Sequence, residues 1–263
     1  MSFWGASFIF DGKPSELYSL YIASPNGGDV DVTGSSNVEL YVESLYRKSK
    51  NYLLGAKQSP ALEFDVSFNS PREITSPDIG HIQSWLFGHS QYKKLQILQS
   101  DMQDVYFNCF LTNPQVNKVG NIIRGVKATV VCDSPFAWTF PRTKTYSFTD
   151  ADVNSIVDFY NLSNDNDYNY PSLEITANEF GGDFSISVSQ DNDRLFEFTG
   201  LTSGEIITIN NELGTISSST ALRRLSNFNK NWFRLVKGRN TITFSGSLSQ
   251  VDMTYQFARK VGG

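Results

Sequence analysis

Along much of this chain apolar and polar residues change places at every step, and a period of two is satisfied only by an extended backbone with one face buried. In LEFDVSF, Leu62, Phe64, Val66 and Phe68 fall on one face and Glu63, Asp65 and Ser67 on the other. DFSISVSQ alternates Phe184, Ile186 and Val188 with polar residues, and VDMTYQFAR does the same with Val251, Met253, Tyr255 and Phe257. Each stretch is a half-buried strand with one wet face, as antiparallel sheets require. Twenty Phe and twelve Tyr favour the same state. The fold class expected is mainly β.

One segment departs from the rule. TSPDIGHIQSWLFGH places a capping Ser76 before Pro77 at the first helical position and Asp78 in the first turn. Ile79, Ile82, Trp85 and Leu86 follow at helical spacing, and Gly88 is the stop. The spacing predicts a short amphipathic helix of about three turns, packed on the sheet of the first half.

At 263 residues the chain is long enough for two domains, each with its own core. Strand signals give way after PRTKTYSF to TDADVNSIVDFYNLSNDNDYNYP, rich in Asp and Asn, which sets the boundary near residues 146 and 147. From Pro171 onward NEFGGD, SQDNDR, TSGE, NNELG and VKGRN punctuate short strands at regular intervals, the pattern of a β-sandwich. No internal repeat relates the halves, so two different domains are expected, 1–146 and 147–263.

Several function classes find no support. A formal charge of -5 supplies no basic field to hold phosphates, so sequence-reading of nucleic acid is not expected. No run of eighteen apolar residues occurs, so no segment is expected to span a bilayer. MSFWGASFIFDGKPSE lacks a basic region ahead of its apolar residues, which leaves a soluble protein synthesised in the cytoplasm as the expectation.

No catalytic, cofactor-binding or metal residue is nominated. His81 and His89 lie around one helix without a third ligand, and no G-x-S-x-G elbow, P-loop or G-x-G-x-x-G motif occurs. A glycosidase would need two carboxylates that meet only in the fold, and nothing local singles out a pair among 27 acidic residues. SNDNDYN and QDNDR resemble calcium loops, yet neither Asp165 nor Asp191 is followed by the required Gly and Glu; turn-forming Asn and Asp explain both stretches. NLS at Asn161 matches a glycosylation acceptor but lacks a secretory context. Cys109 shares a strand face with Val105, Phe107 and Leu111, and Cys132 shares one with Val126 and Val130. Both thiols are expected inside and free, with a bridge between them the alternative.

Aromatic residues leave one binding question open. Trp232, Tyr160, Tyr168 and Tyr170 could stack on sugar rings. Trp232 or Phe233 could equally fill the core beside Leu235, the favoured reading, with Lys237-Gly238-Arg239-Asn240 as a hairpin turn after it.

The order of segments resembles the distal tail protein family of long-tailed, non-contractile phages of Gram-positive hosts. SFIFDGKPSELYSLYI, NYLLGAKQSPALEFDVSF, IGHIQSWLFGHSQYKKLQIL, DMQDVYFNCFLTNP and VKATVVCDSPFAW carry it in the first half. YPSLEI, GGDFSISV, LTSGEIITINN and NWFRLVKGRNTITFSG carry it in the second. The resemblance implies an N-terminal β-sandwich or split-barrel-like ring domain with one flanking short α-helix, then a galectin-like β-sandwich. It implies a homo-hexamer at the virion's tail tip or baseplate, with DNA passing through a bore that carries no net positive charge. The major tail tube protein, the tail-associated hub protein and receptor-binding or side-fibre proteins are the implied partners. Some members carry carbohydrate-binding insertions, for which the spacing here leaves no room; a module recognising cell-wall polysaccharide is the alternative function.

Overall fold

A computed structural model describes residues 2–3, 5–23, 30–31, 38–58, 61–220 and 222–261. Two compact units divide the chain: Met1–Thr139 with Arg259–Gly263, and Phe140–Ala258. The strand Arg142–Ser147, which the sequence reading divides at Tyr146, lies in the second unit because it pairs along its whole length with Leu248–Tyr255.

The first unit is built on one large sheet. Its path runs from Lys13–Pro14 through Phe8–Phe10, Lys93–Ile97, Val105–Val119, Ile122–Cys132 and Glu63–Asn69 to Tyr21–Ile22, with Ala137–Thr139 pairing off Val105–Val119. The alternation in Glu63–Asn69 works as expected: Phe64, Val66 and Phe68 are buried with Leu62 just before them, while Ser67 is buried on the other face. A side chain at Gly125, opposite Asn69, would bring its Cβ to 2.0 Å from the Phe68 carbonyl oxygen, so only glycine fits that close approach.

The predicted helix is present as Ser76–Phe87, but its cap is Thr75 rather than Ser76. The Thr75 hydroxyl accepts from the Asp78 amide at 3.4 Å and donates to the Asp78 carboxylate at 2.6 Å, so the Thr side chain satisfies an amide that helix geometry leaves unpaired. Ile82, Trp85 and Leu86 form the buried stripe. Trp85 stacks on Phe8 and Tyr18, with ring centroids 5.9 and 5.5 Å away, and donates its indole N–H to the Phe10 carbonyl at 3.1 Å. The face of the ring and its N–H thus both tie the helix to the sheet, through area and through a directed bond.

The second unit is a sandwich. A five-stranded sheet runs Arg142–Ser147, Leu248–Tyr255, Ser172–Ala177, Ile206–Asn210, Thr215–Ser218, and a four-stranded sheet runs Val153–Asn161, Gly238–Gly246, Gly182–Val188, Phe196–Leu201. Ile175, Val251 and Met253 from one sheet and Phe184, Ile186, Ile242 and Phe244 from the other share one core. Phe198 lies at its centre, stacked on Phe184 at 5.5 Å and Phe228 at 4.8 Å. Removing that ring leaves a cavity as well as lost area. Phe198→Ala should destabilise the second unit by about 3–5 kcal/mol in urea unfolding of the whole chain; a loss under about 1 kcal/mol would mean the ring is not in a packed core.

Candidate interaction surfaces

The residues singled out in the sequence do not converge. His81 is exposed, whereas the His89 ring nitrogen Nε2 is 2.6 Å from the Trp85 carbonyl and its ring lies 5.5 Å from Phe10. Among the described residues no three His, Cys, Asp or Glu side chains cluster in a way that could hold a metal. Cys109 and Cys132 are buried, free, and directly opposite each other on adjacent strands. Burial, together with the neighbouring Asp133 carboxylate, pushes the Cys132 thiol up to about 12, so thiolate is scarce at neutral pH.

Both acidic loops have protein partners. The Asp165 carboxylate accepts from the Asp167 amide at 3.3 Å, and the Lys237 ammonium donates to Asn166 Oδ1 at 2.9 Å. Asp191 is buried and accepts from Arg234 Nε and Nη2, both at 2.8 Å, a bidentate pair. The Arg234 guanidinium also lies 3.8 Å over the Tyr168 ring.

Of the four candidate sugar platforms, the structure brings together Tyr168 and Tyr170, with ring centroids 6.4 Å apart. Tyr160 is exposed on a separate strand, and Trp232 is half-buried, edge-on to Phe228 at 4.9 Å. Phe233 and Leu235 are fully in the core. The expected hairpin at Lys237–Asn240 is not formed: the residues before it make only the isolated bridge Leu235–Asn169, and Gly238 opens a strand instead. Its φ of +86° turns the chain, and the Asn240 side chain holds the turn by accepting from the Val236 amide and donating to the Val236 and Gly238 carbonyls, each at 2.9 Å.

One buried ion pair organises a second-unit surface. Glu205 accepts from Arg224 Nε at 2.7 Å and Nη2 at 2.5 Å, from the Thr202 amide at 2.9 Å and from the Ser218 hydroxyl at 2.6 Å. Burial alone would raise the carboxyl's pKa, but the hydrogen bonds from Arg224, Ser218 and Thr202 outweigh it and hold the group well below the usual carboxylate range. The folded value lies below the unfolded one of about 4.3, so the pair's stabilisation is full above that pH and is lost as pH falls toward the folded value. Arg224→Ala should cost about 3–5 kcal/mol by leaving a buried carboxylate unpaired, and should move acid unfolding to higher pH. An unchanged acid midpoint would contradict this role.

One exposed apolar surface in the first unit is not legible as such in the sequence. Val38–Ser44 and Asn51–Gln58 form a two-stranded sheet that no other strand joins among the described residues. Neighbours along a strand face opposite ways, and Leu40 and Tyr41 are both exposed, as are Leu53 and Leu54, so both faces are apolar and uncovered. Tyr46 in the connecting turn is 88% exposed. The available signal was two apolar runs around RKSK, recognisable as a hairpin but not as one that leaves the main sheet.

Residues 3–134 match the family model of a phage tail protein N-terminal domain, and residues 136–255 that of a phage tail C-terminal domain. The crystal structure of the SPP1 Dit protein, described as a paradigm of the hub adsorption apparatus in phages that infect Gram-positive bacteria, superposes with a TM-score of 0.71. The match covers 96% of this chain and 99% of that one at 11% sequence identity, a likeness of fold. No curated protein sequence matches.

Proposed function

Because the chain belongs to the phage tail protein family through both its domains, we propose that it is a distal tail protein forming a hexameric hub ring at the tail tip. The ring joins the last ring of the major tail tube protein to the tail-associated hub protein. It supports receptor-binding or side-fibre proteins and lets DNA pass through its bore. The observation that carries this reading is a fold shared with SPP1 Dit over nearly the full length of both chains. The role is structural rather than enzymatic, and the place of action is the tail of the virion after synthesis in the host cytoplasm.

Two physical features support it. A hairpin apolar on both faces is marginal alone in water and is stabilised when neighbours cover it; ring closure by head-to-tail contacts supplies such neighbours. A net charge of -5 suits a conduit, since a basic wall would hold DNA by counterion release. The alternative, a module that binds cell-wall polysaccharide, has less to work with, since Arg234 covers one face of Tyr168 and Trp232 packs against Phe228.

The double variant Leu40→Asp with Leu53→Asp tests the ring. Each change removes about 1.5–3 kcal/mol of apolar burial from a contact, so the association constant should fall by more than about a hundredfold. Light scattering of the whole chain should then report monomers where the unaltered protein reports one discrete oligomer. An oligomer unaffected by both aspartates would remove the hairpin from the ring contact.

A further inference from the structure

The second unit has four sheet edges, and they are treated differently. Arg142–Ser147 carries exposed Arg142 and Lys144, and Val153–Asn161 carries exposed Asp158. Phe196–Leu201 is covered by the following segment, with the Thr199 amide donating to the Asn227 carbonyl at 2.9 Å and the Asn229 amide to the Glu197 carbonyl at 3.1 Å. Charges and covers of these kinds prevent a sheet from pairing with another chain. The fourth edge, Thr215–Ser218, has the sequence TISS, with no charge and no proline, and although the short helical turn Arg224–Ser226 packs nearby, no main-chain bond from it reaches the strand among the described residues.

That edge is also flanked by apolar side chains. Leu213 is 73% exposed, Leu222 56% and Leu225 54%. A groove of about 320 Å³ runs beside the strand, lined by Gly214, Ile216, Ser217, Leu222, Arg223 and Leu225 among others. Arg224, which also lines the groove, is anchored on Glu205. The Ser219 amide donates to the Ile206 carbonyl, so alternation along the pair turns the backbone groups of Ile216 and Ser218 outward. Arg223, in contrast to Arg224, makes no ion pair among the described residues.

From these features we infer that Thr215–Ser218 receives an extended segment of a partner protein as an added strand, with apolar side chains entering the groove and an acidic one meeting Arg223. Main-chain bonds to Ile216 and Ser218 give affinity, and the groove with Arg223 gives selectivity. A second copy of this chain fits less well, because it offers the same concave surface and two grooves facing each other leave both unfilled. The inference rests on the reading of the chain as part of a tail assembly and assigns one partner contact within it.

The test uses the full chain and a displayed library of short random linear peptides. Enriched peptides should alternate apolar with polar residues, carry an acid, and slow amide exchange at Ile216 and Ser218. N-methylating the bound peptide at alternate residues should abolish that protection. Leu222→Asp with Leu225→Asp should remove binding, and Arg223→Glu should weaken it about tenfold. Four outcomes would overturn the proposal: enriched peptides that protect other amides, no enrichment, undiminished binding of the N-methylated form, or self-association through this edge without peptide. Light scattering of the same samples keeps the two readings apart, since loss of the oligomer would count against the ring and leave the edge contact to be judged by exchange alone.

Discussion

A β-sheet is stable only when its apolar face is covered and its edges are closed to other chains, and both demands shape this molecule. Within each unit they are met by familiar means. The first unit lays a helix on its sheet and fixes it by Trp85, whose ring packs on Phe8 and whose N–H is bound by Phe10. The second folds two sheets over one core rich in phenylalanine. Among the described residues two places do not meet the demand in full: the hairpin Val38–Ser44 with Asn51–Gln58, exposing apolar side chains on both faces, and the edge strand Thr215–Ser218, without charge or proline. Surfaces of this kind are what the proposed ring and its partner contacts would cover.

The polar interior of the second unit serves the same end. Arg224 donates two hydrogen bonds to Glu205 out of water, and Ser218 and Thr202 complete the carboxylate's shell. Such a pair contributes little against an apolar replacement but is costly to break, so it fixes one arrangement of strand and following segment. Asp191 with Arg234 does the same beneath the tyrosines, and the stacked Tyr168 becomes part of the scaffold.

How much was legible in the sequence follows from how local each signal is. Period-two alternation identified Glu63–Asn69, Gly182–Val188 and Leu248–Tyr255 because a strand's two faces are written into consecutive residues. The helix was equally plain, although Thr75 and Ser76 are both competent caps and only geometry chooses between them. The turn at Lys237–Asn240 is legible from its glycine, but a hairpin there is not what forms: the strand that begins at Gly238 pairs with Val153–Asn161 and Gly182–Val188. The Glu205–Arg224 pair was invisible, since it depends on a turn that brings residues from separate elements together. The exposed hairpin is hidden for the opposite reason: its residues look like any core strand, and only the fold shows that, among the described residues, no covering layer lies on them. Recognition of the family rested on the order of many weak segments, and it agrees with the two tail-protein family models.

The proposed assembly of this tail protein is a six-fold ring. Negative-stain images of the purified full chain test it most directly. Particles with six-fold symmetry and a central opening are expected; a population of isolated monomers at assembly concentrations would rule the ring out.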